Sequence, residues 1–98
     1  MIKLPFTTEL AAVARRVIWF EEPEQALSEP VRFACYAMTY GTHEDMRILR
    51  RYLSDDDLRK ALDVAPPGVF DPRSWAYWNL KFGRSSAPPM PVREFMRT

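Results

Sequence analysis

The residues able to do chemistry in this chain are few and widely spaced. One histidine, His43, and one cysteine, Cys35, lie eight positions apart on different predicted helices. Metal binding needs convergent His, Cys or carboxylate ligands, and nucleophilic catalysis needs a nucleophile beside an oriented base. Neither set can be assembled from one His and one Cys, so His43 reads as a solvated first-turn residue and Cys35 as a small core residue. The run Asp55-Asp-Asp57 is explained by the positive N-terminal dipole of a helix without invoking a cation. Three glycines, at 41, 68 and 83, make no phosphate-cradling loop. We therefore expect no catalytic, metal-ligating or cofactor-binding residues, and no enzyme.

What remains is recognition chemistry. Trp75, Trp78 and Phe82 fall at i, i+3 and i+7, one face of a helix, and of these Trp78 and Phe82 read as core. Tyr77 lies off that stripe and is a candidate partner contact, because tyrosine and tryptophan are favoured at interface hot spots. The C-terminal stretch adds further partner-binding candidates: Arg84, Met90, Val92, Phe95, Met96 and Arg97. The arginines at 84, 93 and 97 outweigh Glu94, leaving the tail with apolar anchors on a basic background. Arg47, Arg50, Arg51, Arg59 and Lys60 form the one basic concentration. Five acids offset these five bases between Glu44 and Lys60, and Glu44–Arg47 and Asp57–Lys60 are spaced for pairing at i, i+3. That balance reads as a solvated charged face rather than a duplex-binding one.

The elements that must carry these residues are helical. Thr7 or Thr8 can cap a helix running to Ile18, with Leu10, Val13, Val17 and Ile18 near the 3.6-residue period. Glu24 to Leu27 suits one short turn. Ser28 can cap a helix from Val31 to Tyr40, with Phe33, Ala34, Ala37, Met38 and Tyr40 as its apolar face and Gly41 as its stop. Thr42-His-Glu-Asp45 has the form of a capping box for a helix reaching Leu53. Ser54 opens the next, which ends before Pro66-Pro-Gly68. Asp71 then caps the Trp helix, Pro72 fits its first position, and Gly83 can close it. Strand signals are scarce. The expectation is an all-α bundle of about five short helices over residues 1–83, followed by a Pro-rich arm over 84–98.

The totals agree with one small globular unit: 98 residues, 47% hydrophobic, 13% aromatic, formal net charge +1. This near-neutral balance gives little support to DNA binding by the isolated chain. A single cysteine allows no intrachain disulfide, and no apolar run reaches membrane-spanning length, so we expect a cytoplasmic protein with no membrane contact.

Several segments, taken in order, resemble a known family. They are Val17-Ile-Trp-Phe followed by acids and Pro23, Tyr36-Ala-Met-Thr-Tyr-Gly41 with Glu44-Asp-Met-Arg47, Leu49-Arg-Arg-Tyr52, Leu58-Arg-Lys-Ala-Leu62, and Ser74-Trp-Ala-Tyr-Trp-Asn-Leu-Lys-Phe-Gly83. The order is similar to that of the small helical antitoxin-side partners encoded beside AbiEii-type (MenAT-like) nucleotidyltransferase toxins. The resemblance implies a non-catalytic antitoxin whose partner is a cognate nucleotidyltransferase-fold toxin, with a homodimer compatible. The rival reading is a helix-turn-helix regulator built on the Thr42–Leu53 and Ser54–Ala65 segments. Three aspartates at the start of its second helix would face phosphate unfavourably.

Overall fold

Local sequence sets the helix boundaries. In the computed structural model, which describes residues 4–84 and 88–91, six helices follow in chain order: α1 (Thr8–Val17), α2 (Pro23–Leu27), α3 (Pro30–Tyr40), α4 (His43–Leu49), α5 (Asp55–Asp63) and α6 (Pro72–Lys81). Thr7 caps α1, accepting from the Leu10 N–H at 3.1 Å. Full capping boxes open α4 (Thr42 with Asp45) and α5 (Ser54 with Asp57). Asp71 caps α6, accepting from the Ser74 N–H at 2.7 Å, with Pro72 as the first helical residue. Gly83, at φ +83°, closes α6. Its N–H reaches the Leu80 carbonyl and the Arg84 N–H reaches that of Asn79, both at 3.0 Å. These bonds form a Schellman motif that satisfies two terminal carbonyls.

The chain is all-α; among the described residues there is no strand. The short turn expected over Glu24–Leu27 forms α2, so the bundle expected to hold about five helices has six. Two expectations are corrected. Ser28 does not cap α3; it closes α2, its hydroxyl donating to the Gln25 carbonyl at 2.6 Å. Glu29 takes the N-cap place instead, since a residue before proline is pushed out of the helical region. The helix expected to reach Leu53 ends at Leu49 and passes through turns into Ser54.

Helix α3 is the hub, packing against each of the other five helices. Its small residues Ala34, Cys35 and Ala37 are fully buried, and small side chains let neighbours approach from several sides. The core extends from Leu10, Val13 and Val17 through Phe33 to Leu49, Leu53, Leu58 and Leu62, and then to Phe70, Trp75 and Trp78. Gly41 ends α3 by close approach, not by a left-handed turn: a Cβ there would lie 2.5 Å from the Ala37 carbonyl oxygen. Among the described residues no helix is long and apolar enough to cross a membrane.

Two long-range polar links tie the bundle. Asp45 is 1% exposed, and its carboxylate accepts from the Arg16 guanidinium and from the Thr42 N–H, the latter at 3.0 Å. Burial alone would raise the Asp45 pKa; the Arg16 hydrogen bond and the Thr42 N–H outweigh it and hold the carboxyl below its ordinary value. Trp78 Nε1 donates to the Met38 carbonyl at 2.7 Å. That carbonyl belongs to the last turn of α3, where no helical donor reaches it, and the Thr42 N–H that would continue the ladder is taken by Asp45.

Candidate functional site

Two surfaces stand out, and both grow from α3. The first is an aromatic ledge. Trp19 and Phe20 sit in the turn after α1, while Tyr36 and Tyr40 share one side of α3 at i, i+4. The four rings form a closed circuit, with centroid separations of 5.4 Å (Trp19–Phe20), 5.8 Å (Phe20–Tyr36), 6.0 Å (Tyr36–Tyr40) and 6.2 Å (Tyr40–Trp19). Tyr36 and Tyr40 are stacked and the other three pairs meet edge to face, arrangements that the ring quadrupole favours. At these separations the rings touch one another, so the cluster presents a surface rather than a cage.

Electrostatics pin this ledge in place. Arg32 donates to both carboxylate oxygens of Glu21, at 3.0 and 2.6 Å, and its guanidinium lies 5.5 Å from the centre of the Tyr36 ring. The bidentate pair fastens the Trp19–Glu21 turn to α3, and the Arg32 hydrogen bond holds the Glu21 pKa below the usual carboxylate value. Despite this anchoring, Trp19 is 67% exposed, Phe20 53% and Tyr40 52%. Large rings fixed in position yet left in water are the raw material of an interface hot spot.

The second surface is a groove of about 440 Å³ between α4 and α6. One wall carries His43 and Arg47 of α4 and Arg50 at its C-terminal cap; the other carries Arg73, Tyr77 and Lys81, spaced i, i+4, i+8 along α6. Met38, Met46 and Trp78 supply the apolar floor. No acidic side chain lines it. Arg47 is paired with Glu44 at 3.0 Å and Arg50 with Asp55 at 3.3 Å. Arg73 and Lys81 are exposed, and among the described residues neither has a carboxylate partner.

Among the described residues, the expected site residues Tyr77, Arg84 and Met90 are not gathered into one patch. Tyr77 is 55% exposed and lines the groove. Arg84 is turned inward, donating to Asn79 Oδ1 at 2.9 Å and pairing with Asp63. Met90 is half-buried against the domain's own core, and nearby Pro88 accepts a 2.8 Å hydrogen bond from Trp75 Nε1. This part of the arm therefore lies on its own domain. Val92, Phe95, Met96 and Arg97 lie outside the described residues.

Other readings fare as follows. Trp75 and Trp78 are core residues, each 6% exposed, while Phe82 is half-buried beneath Arg59. Cys35 is fully buried and burial pushes its thiol pKa up to about 12. Glu44–Arg47 pairs as its spacing predicts. Asp57–Lys60 does not: Asp57 is engaged in its capping box and Lys60 turns to Asp56 at 3.3 Å. Tyr40, expected on the apolar face of α3, instead stands exposed in the ledge.

Sequence reasoning missed the ledge because Trp19 and Phe20 lie just past the helix expected to end at Ile18 and belong to no helical period. The i, i+4 spacing of Tyr36 and Tyr40 was the available signal. Comparison with family models, curated proteins and solved structures returns no match.

Proposed function

We propose that this chain is a non-catalytic protein-interaction module that engages its partner through the ledge of Trp19, Phe20, Tyr36 and Tyr40. The observation that carries this reading is the pinned four-ring circuit, in which Trp19, Phe20 and Tyr40 are solvent-exposed and Tyr36 roots them to the core. Rigid aromatics bring large contact area with little side-chain entropy to lose on binding. The family resemblance supplies the form of the module: an antitoxin that binds and neutralises a nucleotidyltransferase-fold toxin. Both stretches that build the ledge, Val17-Ile-Trp-Phe20 and Tyr36-Ala-Met-Thr-Tyr40, belong to the segments in which that resemblance lies.

The regulator alternative has less support. Helix α5 would have to enter a DNA groove, yet Asp55 and Asp56 stand exposed at its start and Arg59 and Lys60 are both paired with Asp56. The test is co-expression with the product of the adjacent gene, which this proposal requires to be a nucleotidyltransferase-fold toxin. The wild-type chain should restore growth, and Trp19→Ala/Tyr40→Ala should fail to do so while melting normally. Full rescue by the double variant would overturn the ledge as the working surface.

A further inference from the structure

The ledge leaves the groove between α4 and α6 unexplained. Its walls are cationic, its floor is apolar, and its edge carries the exposed ring of Tyr77. We propose that this groove receives an acidic peptide segment of the protein partner, anchored by an apolar side chain; this deepens, and rests on, the protein-interaction reading. The carboxylates would meet Arg73 and Lys81, the two cations with no carboxylate partner among the described residues. The apolar anchor would rest on Met38 and Met46, whose flexible thioethers adapt to varied aliphatic or aromatic side chains.

Charge complementarity selects an anionic occupant, and the floor selects between kinds of anion. A single-stranded nucleic acid needs an exposed aromatic face on which a base can stack. Trp78 does not offer one. One face of its ring is stacked on Phe82 at 5.9 Å, and its edge is held by its bond to the Met38 carbonyl. Tyr77 alone is open, and it stands on the wall rather than the floor. A methionine floor beneath a cationic rim therefore fits an acidic, apolar-anchored peptide better than a nucleic-acid strand. The Arg73 guanidinium also suits a carboxylate, which arginine can bind through two parallel hydrogen bonds.

The test is a two-dimensional amide NMR titration of the full chain with three probes. These are a dodecapeptide of Glu, Asp and Leu, its Gln/Asn counterpart, and an octathymidylate. The acidic peptide should shift the signals of Gly41, Thr42, Met46, Ser74 and Tyr77 saturably. Its affinity should fall at least tenfold in Arg73→Glu/Lys81→Glu and should weaken as salt rises. Both replaced residues are exposed, so the variant should keep the wild-type melting temperature, and Arg73→Ala/Lys81→Ala serves as a milder second variant. The Gln/Asn peptide should bind far more weakly. Groove shifts produced by the oligonucleotide and not by the acidic peptide would overturn the proposal, as would acidic-peptide shifts that bypass the groove or survive both variants. Trp19→Ala/Tyr40→Ala should bind the peptide normally. An inert groove with partner binding still lost in that ledge variant would sink this inference and leave the functional reading standing. Partner binding indifferent to the ledge would sink the reading itself.

Discussion

The Trp78 indole holds two helices together in a way that substitution can take apart. It fills core volume beside Phe82, and its Nε1–H satisfies the Met38 carbonyl that the end of α3 leaves without a donor. Trp78→Phe keeps most of the volume and removes the bond, leaving a buried carbonyl unpaired at a cost of about 1–3 kcal/mol. Trp78→Ala removes both, and large-to-small aromatic changes in a core cost about 3–5 kcal/mol. A domain of this size has a total stability of about 5–15 kcal/mol, so the alanine variant should be severely weakened. The assay is urea unfolding followed by far-ultraviolet circular dichroism, which does not depend on the replaced fluorophore. With a slope of about 1.5 kcal/mol per molar urea, the midpoint should fall by about 1–2 M for Phe and about 2–3 M for Ala. Trp19→Phe, at an exposed site, should stay within about 0.5 kcal/mol of wild type. A Trp78→Phe variant as stable as wild type would show that the indole does not serve the end of α3. An alanine variant losing less than about 1 kcal/mol would remove Trp78 from the core.

Three further outcomes are expected. Asp45→Asn should cost about 1–2 kcal/mol at neutral pH, discounted because half of the Arg16 side chain is in water. Its native pKa is lowered, so the contribution is present above the unfolded-state value of about 3.9 and fades as pH falls through the native one. Melting curves of variant and wild type should therefore converge in acid, and a gap that widens there would contradict the pairing with Arg16. Cys35, with its thiol buried and its pKa pushed up to about 12, should resist a thiol reagent at pH 8 until denaturant is added; rapid native-state labelling would place it outside the core. Deleting residues 85–98 removes the Pro88 acceptor of Trp75 and the Met90 contact, and should lower stability by about 1–2 kcal/mol without loss of helical signal. An unchanged melting temperature would show that this segment does not brace the domain.

Legibility followed locality. The starts of α4, α5 and α6 are written within four residues each, as Thr42 to Asp45, Ser54 to Asp57 and Asp71 to Ser74, so side-chain and backbone chemistry in one turn was enough to read them. Ser28 misled because two helices abut there, and the constraint that Pro30 places on Glu29 decides which helix it closes. Arg16–Asp45 and Trp78–Met38 span 29 and 40 positions, and no local pattern encodes them. The candidate site was harder to read for the same reason. Its ledge joins the end of α1 to the middle of α3, and its groove faces α4 across to α6. Each wall has a helical spacing, 43-47-50 and 73-77-81, but their opposition exists only in three dimensions. The exposure of Tyr77 was legible because it lies off the Trp75–Trp78–Phe82 stripe, whereas Arg84 and Met90 are drawn inward by Asp63, Asn79 and the core.

The most direct test of the central claim is a calorimetric titration of the proposed toxin partner with single ledge variants. Trp19→Ala and Tyr40→Ala should each weaken binding by at least about 2 kcal/mol, roughly thirtyfold, as hot-spot residues do. Leu80→Ala, equally exposed at 68% but on α6 and outside the groove, should leave affinity unchanged. Equal affinity across wild type and all three variants would contradict the account.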